Sequence, residues 1–168
     1  MNKTNIITFI TILNFLFSFS KTYSNNNEFW INNHSIYLEI GGNAGLYSLN
    51  YDVNYYSKNI NSFGGRFGLA VIPSSTLPSV FPFEIYGLLG KTYHFIEYGL
   101  GYTQIFYLVD QSLNPSSIIL ARLGYRYQKR QKGIMYRIGF TPILKNATDK
   151  FGVFRLTPFA GISIGWAF

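Results

Sequence analysis

The sequence predicts an all-β protein, an eight-stranded antiparallel transmembrane up-and-down β-barrel, and three observations predict it. Apolar and polar residues alternate with a period of two through segment after segment, the pattern of a strand whose two faces meet different surroundings. Aromatic residues make up 19% of the chain and charged residues only 12%. A water-soluble domain uses roughly 25% charged residues, so this wall is short of the side chains that cover a wet surface. No internal apolar run approaches the roughly 20 residues of a spanning helix, and a closed barrel is the other architecture that satisfies its backbone in lipid. One domain is expected for 168 residues.

The amino terminus reads as an export address. Lys3 precedes an apolar stretch from Ile6 to Phe19 interrupted only by Thr8, Thr11, Asn14 and Ser18, and small residues Ser18 and Ser20 stand at signal-peptidase spacing. Residues 1–20 are therefore expected to be a signal peptide, cleaved near residue 20 or as late as residue 24. An anchor helix is the weaker reading, because the run is short and lacks a stop-transfer flank. Residues 21–34 follow as a periplasmic segment, and residues 35–168 as the barrel. The chain has no cysteine, hence neither a lipid-attachment cysteine nor a disulfide.

The strands follow in order. Residues 35–41 alternate Ile36, Leu38 and Ile40 against Tyr37 and Glu39, and Gly42-Asn43 gives a turn signal. Residues 45–55 set Tyr47, Leu49, Tyr51, Val53 and Tyr55 against Ser48, Asn50, Asp52 and Asn54. Residues 63–72 oppose Phe63, Phe67, Leu69 and Val71 to Arg66, Gly68 and Ala70, and residues 80–89 oppose Phe81, Phe83, Ile85 and Leu89 to Glu84 and Tyr86. Residues 94–108 alternate Ile96, Tyr98, Leu100, Tyr102 and Phe106 with Glu97, Gly99, Gly101 and Thr103. Residues 118–128 set Ile119, Ala121, Leu123, Tyr125 and Tyr127 against Arg122, Gly124, Arg126 and Gln128. After the basic turn Lys129 to Gly133, residues 134–140 oppose Ile134, Tyr136, Ile138 and Phe140 to Met135, Arg137 and Gly139. The last strand places Ala160, Ile162, Ile164, Trp166 and Phe168 on one parity and Gly161, Ser163, Gly165 and Ala167 on the other.

Turn lengths agree with this count. Bacterial barrels keep short turns at the periplasmic rim and longer loops outside; here the short turns, near residues 57–61, 91–93 and 129–132, follow even-numbered strands. Loops at 73–79, 109–116 and 144–156 follow odd-numbered ones. A competing reading takes Gly41 to Gly45 as a kink within one long strand, which would leave seven. Charge placement is the sharper test, because Lys or Arg facing lipid at mid-membrane costs about 2–4 kcal/mol. Glu39, Asp52, Arg66, Glu84, Glu97, Arg122, Arg126 and Arg137 all fall on the small-residue parity. Four acids and four arginines inside so narrow a barrel are expected to pair and fill it. Tyr55, Tyr56, Phe63, Tyr93, Tyr125, Tyr127, Tyr136, Trp166 and Phe168 crowd the short-turn ends, where aromatic rings suit the headgroup layer.

The terminal G-I-S-I-G-W-A-F, with Ile164, Trp166 and Phe168 on one face, resembles the carboxyl-terminal insertion signal of outer-membrane barrels. With E-I-G-G-N-A-G-L-Y-S-L-N-Y from Glu39, F-I-E-Y-G-L-G from Phe95, G-Y-R-Y-Q from Gly124 and Y-R-I-G-F-T-P from Tyr136, the chain resembles the small outer-membrane β-barrel proteins of Bacteroidota. The resemblance implies an eight-stranded barrel in the bacterial cell outer membrane and brings no catalytic residue.

Three functions follow as expectations. The first is a non-enzymatic barrel with a structural or surface-interaction role, whose loop at 144–156 carries Lys145, Asp149, Lys150 and Arg155 with Phe151 and Phe154. The second is a narrow passive pore, disfavoured by inward Tyr37, Tyr86, Phe95 and Met135. The third is a lipid-modifying enzyme, for which a histidine must reach a serine and a carboxylate; only His34 and His94 exist. No cofactor or metal site is expected. The expected partners are outer-membrane lipids, lipopolysaccharide and, during insertion, the barrel-assembly machinery. The formal charge of +7 is read as basic turns meeting anionic headgroups rather than nucleic acid, and a monomer is expected.

Overall fold

The computed structural model describes residues 34–74, 78–109, 112–129, 132–146 and 157–168. The expected signal peptide, and all of the periplasmic segment except His34, lie outside them. Among the described residues nine strands form one closed antiparallel sheet: β1 (His34–Gly41), β2 (Tyr47–Lys58), β3 (Asn61–Val71), β4 (Ser79–Gly90), β5 (His94–Val109), β6 (Ser112–Gln128), β7 (Gly133–Phe140), β8 (Ile143–Asn146) and β9 (Ala160–Ala167). Each stave pairs with the next in sequence, and β9 returns to β1, with Gly165 opposite Tyr37 and Ser163 opposite Glu39. That last pairing closes the sheet.

The staves number eight because β7 and β8 are two pieces of one. Both run antiparallel along β6, interrupted at Thr141-Pro142, where proline supplies no amide to the ladder. The Pro142 carbonyl still accepts from the Ala121 amide at 3.1 Å. The first hairpin is likewise two strands, since Ile40 stands opposite Tyr47. Between them lies a 3-10 turn, Gly42–Ala44, flanked and entered through Gly41, Gly42 and Gly45 at φ 75°, 66° and 89°. Glycine adopts these angles without the Cβ penalty other residues meet. The turn drops into the barrel mouth, burying Asn43 and Ala44.

Two expectations about loops are corrected. The segment 109–116, read as a loop, is mostly strand: β5 and β6 stay paired out to Val109 opposite Ser112, three pairs beyond the start of β4, where Ser79 stands opposite Phe106. Pro115, which lacks a ladder donor, stands within this paired stretch opposite Phe106. It lies before Ile118, where β8 joins, so among the described residues β6 pairs there only with β5, an edge position that tolerates proline. The expected loop at 144–156 begins later, because Ile143–Asn146 is strand. Its remainder, 147–156, with Asp149, Lys150, Phe151, Phe154 and Arg155, lies outside the described residues.

The pleat sorts the side chains as alternation demands. Ile36, Leu38 and Ile40, Phe67 and Leu69, Ile96 and Leu100, Ile138, Ile162 and Ile164 all face outward and are exposed. A bulge in β2 breaks the parity: Asn54 pairs with Gly64 and Tyr56 with Phe63, leaving Tyr55 extra, and a second register shift lies between β6 and β8 at Ile119-Leu120. Tyr55 and Tyr56 consequently both face outward.

Candidate functional site

The inner face converges on charge. Glu39, Asp52, Arg66, Glu84, Glu97, Arg122, Arg126 and Arg137 come from seven strands and are each at most 5% exposed. Glycines on the same face make room for these long side chains. A Cβ added at Gly99 would lie 2.7 Å from Glu84 Oε1, one at Gly139 would lie 3.1 Å from Arg122 Nη1, and one at Gly64 would run into the Tyr86 ring. Small residues on one stave thus form the bed on which a neighbour's large polar side chain lies.

The eight charges form one connected network. Arg122 Nη2 and Arg137 Nη2 each donate to Glu39 Oε1 at 2.8 Å. Arg66 Nη1 lies 3.2 Å from Glu84 Oε1, and Arg122 Nε donates to Glu84 Oε2 at 3.0 Å. Toward the short-turn end, Arg126 Nη1 donates to Asp52 Oδ2 at 2.7 Å, and Nε donates to Gln128 Oε1 at 2.7 Å. Glu97 joins the layers: Arg66, Arg137, Arg126 and Arg122 lie 2.9, 3.4, 3.6 and 3.7 Å from its carboxylate. Aromatic faces cover the guanidinium groups, with Arg137 4.4 Å from the Tyr37 centroid and Arg66 4.7 Å from that of Tyr86. Low dielectric strengthens such pairs, and their mutual hydrogen bonds return part of the cost of removing eight charges from water.

Sequence parity did not single out several neutral members. Asn43 Nδ2 donates to Glu84 Oε2, its Oδ1 accepts from Arg122 Nη2 at 3.0 Å, and its carbonyl accepts from Thr103 Oγ1 at 2.8 Å. Ser35 donates to Asp52, and Ser163 Oγ accepts from Arg137 Nη2 at 3.1 Å. Ser35, Ser163 and Gln128 share the inward parity, which was the available signal. Asn43 sits in a turn, where alternation gives none.

Apolar clusters flank the network at both ends. Ala44 packs with Ala70 and Val80 beneath the inward turn, and Tyr86, Leu88 and Phe95 pack together toward the short turns. Met135 is fully buried.

The outward aromatics line the short-turn rim. Tyr127 lies 6.2 Å from both Tyr93 and Tyr136, Tyr56 lies 6.4 Å from Phe63, and Phe168 stacks on His34 at 6.1 Å. Both histidines belong to this rim. His94 Nδ1 is 2.5 Å from the Tyr125 hydroxyl and His34 Nδ1 is 2.7 Å from that of Tyr51. Among the described residues neither is hydrogen-bonded to a serine or a carboxylate, so no nucleophile–base pair is assembled. Ile164, Trp166 and Phe168 share the outward face, Trp166 standing between Ile36 of β1 and Ile134 of β7.

An apolar outer wall, an ionic interior and a closed meander of eight staves define the class: this is a β-barrel of the transmembrane type. The fold is similar to that in the crystal structure of the N-terminal β-barrel domain of Pseudomonas aeruginosa OprF, with a TM-score of 0.51 at 11% identity over 80% of this chain and 95% of that one. No protein-family model matches the chain, and no curated protein matches it in sequence.

Proposed function

We infer that the protein is a non-enzymatic barrel of the bacterial outer membrane whose lumen is plugged, and that its role is structural or lies in surface interaction. The carrying observation is the network of nine ion-pair contacts spanning the interior from Glu39 to Asp52. A continuous ionic path would have to break it. The apolar wall, the aromatic rim and the OprF-like fold support membrane residence. The short turns then face the periplasm, and the inward turn and the β5–β6 hairpin face outside. The motif runs and the Asn-rich and Ile-rich composition support an origin in Bacteroidota.

A narrow pore is the competing reading. Buried polar atoms without a hydrogen-bond partner among the described residues, such as Arg122 Nη1, Arg137 Nε, Tyr86 Oη and Thr141 Oγ1, favour it, since such groups hold water. Isolated waters between fixed charges do not amount to a file that ions can follow. Single-channel recording of the refolded protein in planar bilayers tests the two readings: silence from a barrel with heat-modifiable gel mobility is expected, and discrete conductance steps would overturn the plugged lumen.

A further inference from the structure

The outward face of β2 to β6 is not a uniform wall. One registered row crosses it along the hydrogen-bond direction: Val53 opposite Gly65, Gly65 opposite Ile85, Ile85 opposite Leu100, and Leu100 opposite Ala121. None of these is bulkier than leucine, and two are nearly flat. The adjoining row toward the outer rim is Tyr51, Phe67, Phe83 and Tyr102, ending on Ile119, again opposite one another in turn. On the short-turn side stand Tyr55 and Phe63, with Tyr98 laid across Gly87 and 6.5 Å from Phe63. The small residues between the Tyr51-to-Tyr102 bank and Tyr55 leave a trench of about 490 Å³, lined also by His34, inside the range of about 300–1,000 Å³ typical of ligand sites.

Its dimensions and charge suit a single hydrocarbon chain. Five staves at about 4.8 Å spacing give a length of about 19 Å. With strands tilted by about 40°, that trench changes depth by about 12 Å, less than one leaflet of about 15 Å. Arg66 and Glu84 lie behind the trench but turn their side chains to the lumen, so no charge faces into it. Polar groups gather at the β1–β2 end, where the Tyr51 hydroxyl meets His34. Three residues beyond Tyr55, about 10 Å along the strand, the exposed Lys58 stands at the rim. A peptide laid here would carry unpaired amides into hydrocarbon, at several kcal/mol each. An acyl chain carries none, and a phosphate at the headgroup level would meet the Lys58 ammonium.

We propose that this trench is a fixed seat for one acyl chain of an anionic glycerophospholipid whose phosphate is held at Lys58. The proposal rests on the membrane reading above. Native mass spectrometry of the refolded protein, released from micelles doped with dipalmitoylphosphatidylglycerol, tests it. One lipid is expected to remain bound after the detergent is stripped. Leu100→Trp, which fills the trench, is expected to cut the retained fraction at least fivefold, whereas Ile138→Trp, outward on β7 away from the trench, leaves it unchanged. Lys58→Gln is expected to weaken phosphatidylglycerol retention without altering that of phosphatidylcholine. Equal retention by Leu100→Trp and wild type, no retention by a heat-modifiable barrel, or a dimer that Leu100→Trp dissolves would each overturn the seat. Failure to enter vesicles, with no heat-dependent gel shift, would instead overturn the membrane reading.

Discussion

Glu97 on β5 accepts a hydrogen bond from Arg66 Nη2 on β3 at 2.9 Å, across the intervening β4, and its carboxylate also lies within 4 Å of the other three inward arginines. Asp52, by contrast, is ion-paired with Arg126 alone among the described residues. Breaking a buried pair by removing one partner costs about 3–5 kcal/mol, and the cost should grow with the number of cations left behind. Glu97→Gln is therefore expected to lower the urea-unfolding midpoint in micelles more than Asp52→Asn. Equal shifts would mean that Glu97 is one pair among several and not the hub.

Gly64 and Gly65 are neighbours on opposite faces of β3 and should respond in opposite ways to alanine. A methyl at Gly64 would enter the buried Tyr86 ring and the Val53 carbonyl, overpacking that costs about 1–3 kcal/mol. A methyl at Gly65 would meet only the edge of the half-exposed Tyr55 ring, at 3.1 Å. That ring can shift, and the loss of unfolded-chain entropy contributes about 0.4–1 kcal/mol in favour of the fold. Thermal unfolding in micelles should place Gly64→Ala below wild type and Gly65→Ala level with it or above.

These contrasts show which parts of the molecule alternation could reveal. A strand in a two-sided wall must place every second residue inward, so parity alone assigns Glu39, Arg66, Glu97 and Arg137 to one face, and all four side chains are buried. Parity says nothing about partners. That Glu97 meets four arginines while Asp52 meets one depends on stagger around the barrel, which no single strand encodes. The Tyr55 bulge was illegible because two consecutive outward tyrosines read equally well as a strand end. The inward turn was hidden because Gly42-Asn43 signals a reversal but not its direction. The β5–β6 extension was masked by Pro115, whose edge position appears only once the neighbouring stave is placed.

Phe168 separates stability from assembly. Its amide donates to the His34 carbonyl at 2.9 Å, and that bond survives any side-chain change except proline. The exposed ring stacks on His34 alone among the described aromatics, so Phe168→Ala should shift the in vitro midpoint by no more than about 0.5 kcal/mol, as surface substitutions usually do. If the terminal aromatic is the insertion signal, the same variant should lower the amount of folded barrel in the cell envelope several-fold. Normal envelope levels would remove Phe168 from that role.

The inward turn tests which element seals the lumen. Asn43 is tied by its side chain to Glu84 and Arg122 and by its carbonyl to Thr103. Asn43→Ala combined with Thr103→Ala removes all three ties, yet Arg122 Nε still reaches Glu84 at 3.0 Å and Glu39 keeps both of its arginines. Gly42→Ala acts differently, forcing a methyl into the Glu39 carboxylate at a φ of 66°, an unfavourable backbone conformation worth about 1–3 kcal/mol. Both variants are expected to make the β1–β2 connection more sensitive to protease added from the loop side, because the turn no longer holds its place in the mouth. Neither should conduct, since the ion pairs from Arg122 down to Asp52 remain intact beneath it. Conductance in the double variant would transfer the seal from the network to the turn, and the inward fold of Gly42–Ala44 would then be a gate rather than a cap.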